Sequence, residues 1–146
     1  MTDNSVYANP LITRYASREM AEAFSDEKRI GLWRKLWIAL AEAEMELGLN
    51  ITPAQIEEMK KYAEDINFEL AEKYEREVRH DVMAHVKAFG AQAKSAMPII
   101  HLGATSCFVD CNSELIVISD AIKIIKKKLV NVMDKPKNSA LKYKDL

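Results

Sequence analysis

Between Ser25 and Gly48, apolar residues recur at helical spacing on more than one side of a single helix, and no other feature constrains the fold as strongly. Ile30, Trp33, Trp37, Leu40, Ala41 and Leu47 hold one face, and Leu32, Leu36, Ala39 and Ala43 widen it. A helix apolar around so much of its circumference must be covered by other elements. Ser25 reads as an N-cap, Asp26 and Glu27 complement the dipole in the first turn, and Gly48 marks the stop.

The rest of the pattern is helical as well. Thr52-Pro53-Ala54-Gln55 spells a capping box with proline at the first helical position, opening a helix that carries Ile56, Met59, Tyr62 and Ala63. That helix gives way near Asp65-Ile66-Asn67, and a polar helical stretch follows from Phe68 to Arg76. Asp81 is placed to cap a short helix with Val82, Val86 and Phe89 on one face. From Lys94 to Ser106 a proline, a glycine and an apolar run replace the helical period, which predicts an ordered, partly buried loop. Asn112-Ser113-Glu114 then reads as the start of a long helix with Leu115, Ile118, Ile122, Ile125, Leu129 and Val132 on one strip, and Pro136 predicts a break or kink in it. No convincing period-2 strand is present, so the expected fold class is all-α.

Composition narrows the function classes. The 146 residues are 49% hydrophobic, too apolar for a disordered chain, and no charge-free run approaches the ~18 residues that span a bilayer. The first dozen residues lack an apolar signal core, so no secretory signal and no membrane partner are expected. Gly31, Gly48, Gly90 and Gly103 are the only glycines and lie far apart, which excludes glycine-rich phosphate loops and dinucleotide fingerprints. Cys107 and Cys111 are four apart, one helical turn, and are expected to be reduced thiols in the cytoplasm. Residues 1–122 carry 13 basic and 20 acidic side chains, whereas 123–146 carry eight lysines against Asp134 and Asp145. Those lysines share their segment with apolar residues at helical spacing, so the basic end reads as a solvated helix face, and no nucleic-acid partner is expected.

Three places hold polar residues suited to chemistry. Arg14-Tyr15 lies in a segment read as non-helical after Pro10; a planar guanidinium fork beside a phenol can clamp a phosphate, or the pair is a surface arginine next to a packing aromatic. Arg79-His80-Asp81, followed by His85, sets a titrating imidazole between a cation and an anion at a helix start, or is a capping Asp81 with two half-buried histidines. Gly103-Ala104-Thr105-Ser106 puts two hydroxyls and backbone N–H groups where a helix dipole favours an anion, or Ser106 is simply an N-cap. His101, Cys107 and Cys111 with His80 match no common zinc spacing, so no metal is expected, and no G-x-S-x-G elbow supports a serine hydrolase.

Six strings occur in order: Tyr7-Ala8-Asn9-Pro10-Leu11, Arg14-Tyr15-Ala16-Ser17, Trp33-Arg34-Lys35-Leu36-Trp37, Leu40-Ala41-Glu42-Ala43-Glu44, Arg79-His80-Asp81-Val82-Met83-Ala84-His85 and His101-Leu102-Gly103-Ala104-Thr105-Ser106. Together they resemble the adenylosuccinate lyase family of the fumarase/aspartase superfamily, from about Tyr7 to Asn112. The resemblance implies a lyase of purine and AMP biosynthesis that β-eliminates fumarate from adenylosuccinate, giving AMP, and from the analogous succinyl-aminoimidazole-carboxamide ribotide. It implies no cofactor. By position, Arg14 and Tyr15 would hold the nucleotide phosphate; Arg79, His80 and Asp81 would line the pocket; Thr105 and Ser106 would bind the succinyl portion.

The resemblance also implies an organisation. Residues 1–105 would be the N-terminal helical substrate-binding domain, and 106–146 the start of a central helical bundle through which full-length subunits form a homotetramer. The family's acid histidine and base serine would lie beyond Leu146, so the 146-residue chain alone is expected to be inactive. Two departures stand out: Asp110-Cys111 replaces a usual Gly-Asp pair, and Pro136 falls where the family helix is unbroken. The alternative from another class is a non-catalytic helical module that binds a nucleotide or a full-length subunit.

Overall fold

Residues 9–145 are described by a computed structural model. Six α-helices take up most of them: α1 (Arg18–Ala23), α2 (Asp26–Glu46), α3 (Pro53–Lys61), α4 (Phe68–Val78), α5 (Asp81–Gln92) and α6 (Ser106–Lys142). A single π turn, Leu11–Tyr15, precedes α1, and no strand occurs among the described residues, so the architecture is all-α. Two compact units divide the chain: Asp26–Leu115 is the larger, and the other comprises the described parts of Met1–Ser25 and Ile116–Leu146.

The larger unit is built around α2. Ile30, Trp33, Trp37, Ile38 and Ala41 are buried and pack with Ile56 and Met59 of α3 and with Val82, Val86 and Phe89 of α5. Trp33 and Trp37 meet edge to face at 6.1 Å, a preferred aromatic geometry. The helix ends in a Schellman motif: Gly48 takes φ +89°, its N–H donates to Met45 O and the Leu49 N–H to Glu44 O, each at 3.0 Å. The second apolar face is less covered than its sequence suggests. Ala39 and Ala43 are exposed, as is Leu47 beyond the helix end, because the partners of α2 gather on the Trp33–Trp37 side.

One charged residue shares that buried face. Arg34 is 1% exposed, and its guanidinium lies 4.5 Å from the Phe89 ring centroid. Nη1 donates to Tyr62 O and, at 2.8 Å, to Asp65 O; Nη2 donates to Gln92 Oε1 at 2.8 Å. Gln92 Nε2 in turn donates to Asp65 O at 2.8 Å and to Asp65 Oδ2 at 3.1 Å. Three segments thus meet on one cation: α2, the turn after α3, and the end of α5. Burial pulls the Arg34 pKa down to about 10, leaving it charged at neutral pH.

The capping box of α3 forms as expected, with Thr52 Oγ1 accepting from Gln55 N–H and Gln55 Oε1 from Thr52 N–H. Gln55 does a second job, donating from Nε2 to Ser95 O at 2.8 Å. Glu58 Oε2 accepts from both the Ser95 N–H and its hydroxyl, and that hydroxyl bond leads in holding the Glu58 carboxyl below its usual range. The Lys94–Ser106 segment is therefore ordered by α3, with Ala96, Ile99 and Ile100 buried beneath it.

Helix α6 begins at Ser106, six residues before the expected start at Asn112. Asn112 and Ser113 look like caps in sequence but bond back along the helix instead: Asn112 Nδ2 donates to Phe108 O at 2.7 Å and Ser113 Oγ to Asp110 O at 3.0 Å. Ser113 is fully buried and accepts from Trp33 Nε1 at 3.1 Å, so it anchors a helix interior. The expected break at Pro136 is absent; α6 runs through it to Lys142. Proline removes one N–H donor, a local loss that neighbouring turns of a long helix bridge.

In the smaller unit, Ser17 caps α1 by accepting from Met20 N–H and also accepts from Lys128 Nζ at 2.7 Å. Leu115, Ile118, Ile122, Ile125, Leu129 and Val132, the expected strip of α6, are each 48–65% exposed.

Arg34→Met removes the guanidinium while keeping most of the volume, and strands Tyr62 O and Gln92 Oε1. Urea unfolding of this variant should show a loss of about 2 kcal/mol, as expected for buried acceptors left unsatisfied; a change under ~0.5 kcal/mol would mean the network carries little weight.

Candidate functional site

Arg79 and His80 form the whole connection between α4 and α5. Arg79 closes α4 in the left-handed region, φ 53° and ψ 40°, a conformation unfavourable for a residue with a Cβ, while its N–H still donates to Glu75 O at 2.7 Å. His80 is extended, φ −153°. A joint this short fixes where both side chains emerge.

The cap of α5 is His80, one residue earlier than the expected Asp81. His80 Nδ1 accepts from the Met83 N–H at 3.5 Å, because the imidazole δ nitrogen sits where an asparagine Oδ1 would. Asp81 is instead the first helical residue, its Oδ1 accepting from Val82 N–H at 2.8 Å. A neutral His80 that accepts at Nδ1 carries its proton on Nε2. Protonation at Nδ1 would replace the cap with an ion pair to Asp81 Oδ1, 3.5 Å away.

The third place starts from two left-handed residues, His101 at φ 67° and Gly103 at φ 64°. Glycine tolerates that backbone freely. His101 does not, and it is held by its ring: Trp37 Nε1 donates to His101 Nδ1 at 2.9 Å, with the rings edge to face at 6.0 Å. The turn leads through exposed Thr105 to half-buried Ser106, the first residue of α6. Thr105 O accepts from the Phe108 N–H at 2.9 Å as the 37-residue helix opens, and the earliest N–H groups of a helix have no acceptor within it.

The second and third places share an electrostatic neighbourhood. Burial lowers the His101 pKa, and a positive His80 lowers it further, against Asp110. Burial raises the Asp110 carboxyl, with the Asp81 charge adding to it and Arg29 and His80 opposing. Through these charges His101 and Asp110 are linked to His80 and Asp81. Asp110 was legible only as a departure, and His101 as part of a string and of a zinc set that its spacing argues against; a lone histidine at positive φ leaves no sequence signal.

Arg14 and Tyr15 belong to the other unit, and their segment is helical rather than irregular. Asn9 builds it: its Oδ1 accepts from Leu11 N–H at 2.9 Å and its carbonyl from the Ile12 and Thr13 N–H groups, both at 3.1 Å. The Ala16 N–H then reaches back five residues to Leu11 O at 2.6 Å, the π spacing. Both side chains are exposed, Tyr15 by 76%. Tyr7 and Ala8 of the first string lie outside the described residues.

His85 is half-buried against the edge of the core. It stands edge-on to Trp33 at 5.6 Å and to Phe68 at 6.2 Å, and burial, aided by the charges of Arg34 and Arg29, lowers its pKa to about 4. It borders a recess of about 330 Å³ with Asp26, Glu69, Glu72 and Glu75, whose carboxylates outnumber Arg29 and disfavour an anionic ligand. Among the described residues, no group of three or more His, Cys, Asp or Glu is placed to hold a metal ion, and no helix is long and apolar enough to cross a membrane. Cys107 and Cys111 are exposed free thiols.

No family model matches the chain. Curated relatives do, among them, each over the whole chain, the adenylosuccinate lyases of Saccharomyces cerevisiae at 52% identity, Schistosoma mansoni at 46% and Schizosaccharomyces pombe at 48%. The chain spans 30–31% of the length of these proteins.

A half-buried His85 that favours its neutral form links stability to pH. Above pH 6.5 the group is neutral folded and unfolded, so it imposes no loss; as pH falls from 6.5 to about 4 the unfolded chain takes up the proton first and stability drops. The drop attributable to His85 should be about 2–3 kcal/mol. Urea midpoints from pH 7 to 4 should decline less steeply in His85→Gln than in the native chain, and parallel declines would exclude the linkage.

Proposed function

The chain is homologous along its whole length to part of the adenylosuccinate lyase sequence, and from that premise we propose that it provides the substrate-gripping surface of an enzyme that eliminates fumarate from adenylosuccinate and from succinyl-aminoimidazole-carboxamide ribotide. What supports this reading is that His80 and Asp81 stand at the start of α5, Thr105 and Ser106 at the start of α6, and that His80 and Asp81 act electrostatically on His101 and Asp110, which flank Thr105 and Ser106 in sequence.

The reaction breaks a C–N bond. A base takes the proton from the carbon next to a succinyl carboxylate, the electrons form the fumarate double bond, and the nitrogen leaves with a proton from an acid, giving AMP or its aminoimidazole analogue. Charge accumulates on that carboxylate as an aci-carboxylate. The Thr105 and Ser106 hydroxyls and the first N–H groups of α6 meet it with fixed donors and the positive end of a long helix. His80, donating from Nε2, orients the substrate, Arg79 adds a cation and Asp81 holds the joint. Arg14 and Tyr15 take the nucleotide phosphate. The acid and the base come from the part of the family sequence that this chain does not align with.

A cytoplasmic location fits the exposed thiols of Cys107 and Cys111, which a reducing compartment preserves. Assembly into a homotetramer fits the exposed strip of α6, an apolar face that a second copy would cover.

A chimera in which this chain replaces the matching segment of the Saccharomyces cerevisiae enzyme tests the reading. It should turn over adenylosuccinate, and Thr105→Ala or Ser106→Ala should lower kcat by about 10²-fold, the usual effect of losing one transition-state donor. A folded but inactive chimera, or variants with unchanged kcat, would refute it. Arg14→Ala in the same chimera should weaken AMP binding by about tenfold or more, as expected for a lost charge-assisted phosphate contact. Sedimentation of the chain itself should show concentration-dependent association, and a monomer at every concentration would count against the assembly.

A further inference from the structure

We propose that Trp37 is a positioning residue: its buried indole N–H, donated to His101 Nδ1, holds His101 as the neutral Nε2–H tautomer and makes that imidazole a fixed hydrogen-bond donor. What the donor serves rests on the reading above, since His101 belongs to that surface; the tautomer itself stands on geometry.

Trp37 is 0% exposed, wedged in the core between Trp33 and Phe89, with ring centroids 6.1 and 6.2 Å away. Its polar atom therefore has one direction to point, and it finds His101 Nδ1 at 2.9 Å. An indole nitrogen only donates, so Nδ1 must accept and the imidazole proton must sit on Nε2. The edge-to-face contact at 6.0 Å fixes the ring plane as well. A left-handed backbone at a residue with a Cβ persists only where its surroundings over-determine it, and the bond from Trp37 restrains His101 in that conformation.

His80 is set the same way by a different donor, the Met83 backbone N–H on its Nδ1. The two imidazoles, one held by a core tryptophan and one by a helix start, thus both accept at Nδ1 and present their proton at Nε2. Donors of this kind suit the carboxylate and phosphate oxygens of a succinyl nucleotide.

The test uses the 15N-labelled chain. In the native chain a through-hydrogen-bond N–N coupling should connect Trp37 Nε1 to His101 Nδ1, and the His101 ring should give the distinct nitrogen pattern of a single Nε2–H tautomer. Trp37→Phe keeps an aromatic ring in the core while removing the donor; it should abolish the coupling and move His101 toward a mixture of tautomers. Absence of the coupling in the native chain, or an Nδ1–H pattern there, overturns the proposal without requiring any variant to fold. An unchanged single tautomer in folded Trp37→Phe overturns it too. Titrating AMP and then fumarate into the native chain separates the two claims: a coupling that is present while neither ligand moves the His101 Nε2 resonance upholds the tautomer and counts against the substrate surface.

Discussion

A guanidinium buried in an apolar core must have its donors satisfied, and Arg34 meets that demand by drawing three separate segments onto one point. The Tyr62 and Asp65 carbonyls come from the turn after α3, and the Gln92 amide from the end of α5. Each partner arrives with a fixed orientation, so the bonds determine how α3 and α5 approach α2 and leave little room for sliding. Trp33 and Trp37 complete the same helix face with their own polar atoms. One reaches Ser113 inside α6 and the other His101 in the loop before it. The apolar contacts supply bulk stabilisation; these few directional bonds give the unit a single arrangement.

The candidate site follows from that arrangement. Its side chains sit at the ends of helices whose cores are fixed: His80 and Asp81 at the start of α5, Thr105 and Ser106 at the start of α6. Ends of this kind expose N–H groups and the positive pole of the dipole, so the surface favours anions before any charged side chain is counted. Asp110 works against that preference, and its raised pKa reflects the cost of placing a carboxylate near Asp81 on partly buried ground. Both histidines accept at Nδ1, so both present a proton at Nε2.

Much of this was legible in the sequence, for identifiable reasons. The capping box at Thr52–Gln55, the stop at Gly48 and the apolar face of α5 are local signals, and each appears where its residues specify. The misreadings share a cause. Asn112 and Ser113 have the composition of a cap but serve a helix interior, because the Trp33 indole supplies a partner 80 residues away. His80 caps in place of Asp81 because imidazole can imitate asparagine, and Asn9 winds a π turn where the residues after Pro10 read as irregular. Arg34 was visible only as a letter in a string; nothing local distinguishes a buried arginine from a solvated one. His101 escaped for the same reason, since its role depends on a tryptophan 64 residues earlier.

The central claim is that the paired starts of α5 and α6 form the face that grips the succinyl group. A crystal structure of the chimeric enzyme with adenylosuccinate bound tests it most directly. A succinyl carboxylate should lie within ~3 Å of the Thr105 and Ser106 hydroxyls, ordinary hydrogen-bond distance, with His80 contacting the ligand through Nε2. A substrate held elsewhere, with those hydroxyls facing only water, would contradict the account.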